Sequence, residues 1–307
     1  MQIKDNTNMN LSITSNFNKK CWFDWLILLP FSFSLGLYLF FSNPWLRADL
    51  QADSYSWFLD FSRTIFQPQS AYYAESILLP LLARLIGATN SLENYKLLCA
   101  FLTLCILPIV AIFAQNHFHK LWKTLLFIFL FGLSFQYLQY YILGFPDPLT
   151  ILLLVLAVFQ RKLIFLFLLL MMATSITILA ILVGKMLLLS WYAVFHYQLM
   201  GRMDWALSKG YSFFLERYEA NVFGFWLTPG VFFLGVYLLC VIFFIPRNFR
   251  FAMAAIFSLV IAYLALFWTI DGLRVFAVII AAPYAYLLVA FISSIRTQST
   301  PVKVNDD

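Results

Sequence analysis

Charge is scarce in this chain. Only 11% of its residues are charged, against 63% hydrophobic and 20% aromatic. A chain of 307 residues with that balance has more apolar surface than a soluble core can hide, which leaves a polytopic membrane protein. Cysteine is also rare. Cys21, Cys99, Cys105 and Cys240 all fall in or beside apolar runs, and none has a C-x-x-C or zinc spacing. Neither structural disulfides nor a structural zinc is therefore expected. H-E-x-x-H, G-x-S-x-G, a Walker A sequence and G-x-G-x-x-G after a strand are all missing, so hydrolytic, nucleotide-driven and dinucleotide chemistries have no support. No low-complexity tract or internal repeat is present. The net charge of +6 has no basic stripe or soluble domain that would turn it into a nucleic-acid site. The positive-inside rule accounts for it better.

What is present reads as a series of spans. Residues 1 to 20 are polar and end in Lys19-Lys20, a disordered cytoplasmic tail. Trp22 to Ser42 is a retained signal anchor with the amino terminus inside. Tyr95 to Ala114 then crosses and delivers His117, His119, Lys120 and Lys123 to the inner side. Leu125 to Tyr141 returns with Tyr137, Tyr140 and Tyr141 as an outer belt, and Leu149 to Gln160 comes back to Arg161-Lys162. Leu163 to Val183 crosses outward. Met186 to Tyr197 is an outer interfacial helix by parity, and Arg202 to Glu219 an amphipathic outer loop. Val222 to Ile245, Phe251 to Ile270 and Val275 to Ser293 complete the set, and residues 295 to 307 form a cytoplasmic tail. The expectation is an all-α polytopic membrane helix bundle: one domain over residues 21 to 294, with about eight transmembrane helices and both ends inside. This topology puts eleven Lys or Arg and four acids inside, and nine bases and ten acids outside, the asymmetry the rule requires.

The stretch from Asn43 to Asn94 organises the rest. Asp49 and Asp53 lie four residues apart just after the first span. Trp57, Phe58, Phe61 and Ile65 then recur at helical spacing opposite Ser56, Asp60 and Arg63, which predicts an interfacial amphipathic helix from Asp53 to Phe66. Ile77 to Ala88, too short to span, predicts a second interfacial or re-entrant helix. On this topology Asp49, Asp53, Glu75, Asp147, Asp271 and Arg274 all lie at outer membrane depth, where ionisable groups cost several kcal/mol unless paired or functional. Each also has a plainer reading. Asp53 serves equally as a helix N-cap and Asp49 as a solvated loop acid; Asp147, between two prolines, equally caps the next span. Glu75 can cap or solvate its own helix, and Asp271 with Arg274 can be a local i,i+3 ion pair. Lys185, Arg202 and Arg217 can neutralise a phosphate or snorkel to headgroups. His196 reads as a packing residue, and His117 and His119 fall on the opposite side. Asp49, Asp53 and Asp147 would supply hard oxygen ligands to a divalent cation such as Mg or Mn, though nothing in their spacing demands one.

The order of first span, acidic residues at the start of a long outer loop, and two juxtamembrane helices resembles the GT-C superfamily of integral membrane glycosyltransferases. Gly144-Phe-Pro-Asp147, Asp271-Gly-Leu-Arg274 and Leu78-Leu-Pro-Leu-Leu-Ala83 are similar to short motifs of small bacterial members. The likeness runs from Trp22 to Ser293. Many members carry a soluble carboxy-terminal domain after the last span, where this sequence has a short basic tail.

The resemblance implies an inverting enzyme of the plasma membrane with its site on the extracytoplasmic face. Such an enzyme takes a sugar from a polyprenyl-phosphate donor and passes it to a hydroxyl or amide of a glycan, lipid or protein acceptor. It implies Asp49 as general base, with Asp53 as alternative or metal ligand, and phosphate binding by Arg274 and Lys185. Two other classes compete. A transporter or lipid-linked sugar flippase would place polar residues along the middle of several spans, which here are almost wholly Leu, Phe, Ile and Val. A non-catalytic membrane scaffold subunit would leave the acid clustering to chance.

Overall fold

A computed structural model describes residues 19–42, 54–65, 78–134, 147–160, 209–227, 230–268 and 272–295. Every regular element among them is a helix. In chain order they are α1 (Lys19–Ser42), α2 (Ser54–Arg63), α3 (Leu78–Leu85), a 3-10 turn (Ala88–Asn90), α4 (Leu92–Phe118), α5 (Leu121–Ser134) and α6 (Asp147–Gln160). These are followed by α7 (Tyr211–Leu227), α8 (Gly230–Phe244), α9 (Phe249–Trp268) and α10 (Gly272–Ser294).

Local chemistry sets several of the boundaries. Ser91 is extended, and its hydroxyl accepts the Asn94 N–H at 3.1 Å, so α4 begins earlier than its apolar run suggests. It ends at His119, which takes the left-handed conformation at φ 53 and donates its N–H to the Gln115 carbonyl. Asn248 accepts the Phe251 N–H in the same way at the start of α9. The 27 residues of α4 extend about 40 Å, enough to cross both the hydrocarbon and the headgroup layers of a bilayer.

By length and composition three helices can cross a membrane: Trp22–Ser42, Leu92–Phe118 and Val275–Ser294. Leu121–Ser134, Gly230–Phe244 and Phe249–Leu264 are apolar but shorter. The all-helical, lipid-embedded architecture therefore agrees with the sequence, whereas the figure of eight crossings is met only in part. The expected span Leu163 to Val183, the helix Met186 to Tyr197 and residues 1–18 and 296–307 of the two tails lie outside the described residues, while Lys19 and Lys20, expected in the tail, open α1.

Packing proceeds outward from two central helices. Most of the apolar window of α10 is buried, 61% against 28% for α1, so α10 is central and α1 peripheral. It packs along α5, α6, α7, α8 and α9, while α4 packs along α1, α2, α5 and α6. Helix α6 sits between these two groups, and Thr150 to Leu156 are buried without a break. A helix apolar on every side has no face to give to solvent or a polar neighbour, and burial between two partners is the outcome. Gly132 on α5 lets the chains close up, since a Cβ there would meet Leu35 and Leu107 at 3.2 and 3.3 Å.

An aromatic column runs through the middle. Phe127 stacks on Phe131, Phe131 on Tyr284 and Tyr284 on Tyr237, with Phe233 edge-on to Tyr284. The Tyr284 hydroxyl lies 2.6 Å from Ser134 Oγ, and Tyr237 donates to the Ala255 carbonyl at 2.8 Å.

One expectation is refined and one shifts. Trp57, grouped with Phe58, Phe61 and Ile65 on the apolar side of an interfacial helix, is 52% exposed. The buried face of α2 is Tyr55, Phe58, Leu59, Phe61, Ser62 and Ile65, and at about 100° per residue position 57 falls outside that arc. In addition, α7 runs through the expected boundary between Glu219 and Val222. Phe214, which is buried, and Tyr218 and Val222, which pack against the main core, fall at i, i+4 and i+8 on one stripe. The described helix continues to Leu227.

Candidate functional site

The bundle has two ends, marked by Ser42 and by Phe118. At the Ser42 end a second apolar cluster forms apart from the main core. It joins Phe40 at the end of α1, Tyr55, Phe58 and Leu59 of α2, Leu79 and Ala83 of α3, Ala88, and Tyr95, Leu98 and Cys99 of α4. Leu149, two residues into α6 from Asp147, packs against it. The start of α2, the end of α1, the start of α4 and the start of α6 therefore lie together.

The hairpin of α2 and α3 is tied by guanidinium-to-carbonyl bonds. Arg63 Nε donates to the Thr89 carbonyl at 3.0 Å, and Arg84 donates to the Arg63 carbonyl at 3.3 Å. Arg63 also pairs loosely with Asp60 at 3.5 Å. Exposed Trp57, Leu85 and Ile86 edge this unit. Such a mix of large apolar and cationic side chains suits the boundary between lipid and water.

Of the residues the sequence nominates, Asp49, Asp53, Glu75, Asp271 and Lys185 lie outside the described residues. Arg202, His196 and the tyrosine belt from 137 to 141 do so as well. Asp147 is the first residue of α6, and Arg274 the third of α10. Those two helices pack together and run in the same direction. Phe159 near the end of α6 meets His117 near the end of α4, and Ser293 near the end of α10 accepts from Lys123 at the start of α5. The segments that carry Asp147 and Arg274 thus start at the Ser42 end, as does α2, which begins one residue after Asp53. Among the described residues no group of three His, Cys, Asp or Glu could hold a metal ion. The Asp49, Asp53 and Asp147 ligand set includes no described side chain.

Lys96 also belongs to this end. Its ammonium lies 3.7 Å from Glu93 and 5.5 Å from the centre of the Tyr55 ring, and its side chain is only 22% exposed. Sequence reasoning passes over Lys96 because the span reads as beginning at Tyr95, which makes the lysine an incidental flank. The usable signal is Ser91, whose capping role moves the helix start upstream and puts Glu93 and Lys96 on one face.

The Phe118 end has a different character. Asp24 accepts from Gln115 Nε2 at 3.2 Å, and the Gln115 carbonyl oxygen accepts from the buried Thr124 hydroxyl at 2.6 Å. Lys120, Lys123, Arg247 and Arg250 also lie here. Lys123 is almost buried and donates to the Ser293 carbonyl at 3.2 Å, while Arg247 covers the Phe243 ring at 3.7 Å.

Comparison of the chain with protein-family models, with curated proteins and with solved structures finds no match.

Proposed function

We propose that this protein is a membrane glycosyltransferase of GT-C type, working at the Ser42 end of its bundle. It moves a sugar from a polyprenyl-phosphate donor to a hydroxyl or amide of a glycan, lipid or protein acceptor, with inversion. The observation that carries this reading is the shared cluster at the Ser42 end. It ties the start of α2, immediately after Asp53, to Leu149, two residues from Asp147, although these are almost a hundred residues apart. The parallel course of α6 and α10 brings the start of the helix that holds Arg274 to the same end.

In the reaction, Asp49 removes the acceptor proton as the acceptor oxygen or nitrogen attacks the anomeric carbon, with Asp53 as the alternative base. The bond from that carbon to the phosphate oxygen breaks, and the electron pair leaves with the lipid phosphate. Arg274 and Lys185 stabilise the developing charge. Asp147, Asp271 and Glu75 orient the sugar and the acceptor. The cationic residues of the Phe118 end support a cytoplasmic assignment for that end by the positive-inside rule, which leaves the reacting end extracytoplasmic, on the plasma membrane.

The test is Asp49→Asn and Asp53→Asn, made singly, in membranes supplied with labelled polyprenyl-linked sugar. Loss of about 10²-fold or more in transfer by one variant identifies the base. Full transfer by both removes the assignment.

A further inference from the structure

The Glu93–Lys96 pair at the head of α4 has the features of a lipid-headgroup site. Lys96 is mostly withdrawn from water, yet its anionic partner is 78% exposed and sits at 3.7 Å, well beyond the 2.7–2.9 Å of a close charge-assisted bond. An exposed pair of this kind contributes little and is readily exchanged for a better partner. The Tyr55 ring of α2 fixes the ammonium from one side, within the range of a cation–π contact. An ammonium has three N–H donors, and among the described residues one loose carboxylate and one ring leave capacity for a further acceptor.

The position within the membrane is equally specific. Helix α4 matches the full bilayer thickness, so its first turns lie in the headgroup layer. Directly below, Leu97 and Phe101, one helical turn apart, are 68% and 63% exposed and form an apolar track into the hydrocarbon.

We propose that Lys96 and Glu93 bind the headgroup of a zwitterionic amino-phospholipid of the phosphatidylethanolamine class, with an acyl chain lying along Leu97 and Phe101. The lipid phosphate takes the open donors of Lys96. The headgroup ammonium, a two-carbon link away, takes the exposed carboxylate of Glu93. The i,i+3 spacing presents both charges on one face. Charge complementarity selects this lipid over an anionic one, because Glu93 attracts an ammonium and opposes a headgroup with no positive charge. This site is independent of the transferase reading.

The test uses the full chain purified in detergent and native mass spectrometry, with phosphatidylethanolamine, phosphatidylglycerol and polyprenyl phosphate added separately. The expected result is phosphatidylethanolamine held about fivefold more tightly than phosphatidylglycerol, the scale of one exposed charge contact. Glu93→Gln removes that preference. Lys96→Gln weakens retention of both phospholipids, and Lys96→Arg restores it. Thermal unfolding of each variant is followed in parallel; if Lys96→Gln fails to fold, Glu93→Gln, at a largely exposed position, decides alone. Equal retention of the two phospholipids by the unaltered chain overturns the proposal, as does a preference that survives Glu93→Gln. Exclusive retention of polyprenyl phosphate, lost in Lys96→Gln, also overturns it and assigns Lys96 to the donor.

Discussion

At the scale of single residues, the polar groups that matter inside the bundle find partners far along the chain. Gln115 links Asp24, 91 residues away, to Thr124, and Ser134 pairs with Tyr284, 150 residues away. The sequence shows Asp24 and Ser134 as single polar positions in apolar runs, and Gln115 and Thr124 at the polar margins of theirs. Nothing in local spacing reveals the pairing, because it depends on which helices become neighbours. The cost of breaking such a pair is asymmetric. Gln115→Leu removes the bridge and withdraws from Asp24 the one side-chain hydrogen bond it makes among the described residues. The expected loss is about 1–3 kcal/mol, read as a lower thermal midpoint in detergent. Thr124→Val costs about 1 kcal/mol, since it removes one hydroxyl and leaves the link from Gln115 to Asp24.

At the scale of elements, most helices were legible and their neighbours were not. The prolines at 146 and 148 and the polar Gln160 bound α6 in the sequence, and the structure has a helix from Asp147 to Gln160. Its central position could not be read, since a run without a polar face carries no information about which side meets a partner. Position also decides the outcome of mutation. Leu154 is 3% exposed on α6, and Leu154→Ala is expected to cost about 2–5 kcal/mol. Leu239 on α8 is 66% exposed, and its change to alanine stays within about 0.5 kcal/mol. Thermal midpoints of the two variants in one detergent make the comparison. The boundary at α7 differs because parity assigns Arg202 to Glu219, with the acids Glu216 and Glu219, to an outer loop. The stripe of Phe214, Tyr218 and Val222 outweighs them once a core is available.

At the scale of the whole molecule, the sequence supplies an orientation and the structure a pair of ends. Asn90, exposed beside the Ser42 end, and Lys120, exposed beyond the end of α4, are separated by the full length of that helix. Introduced singly into a chain with its native cysteines replaced by serine, Asn90→Cys and Lys120→Cys are expected to react with an impermeant maleimide from opposite sides. Labelling of both from one side would remove the spanning role of α4. Counting crossings puts Asp53, Asp147 and Arg274 at one depth, and the described helices α2, α6 and α10 all start at the Ser42 end. The distances among those side chains depend on loop geometry, which periodicity does not encode.

The small cluster at the Ser42 end shares no buried residue with the large one. Helices α2 and α3 therefore rest on the ends of α1 and α4 through a cluster of their own, and local opening there is expected to leave the main core intact. Deuterium uptake should register this as two regimes: amides of α2 and α3 exchanging early, by an opening that leaves α10 closed, and those of α10 only when the whole bundle gives way.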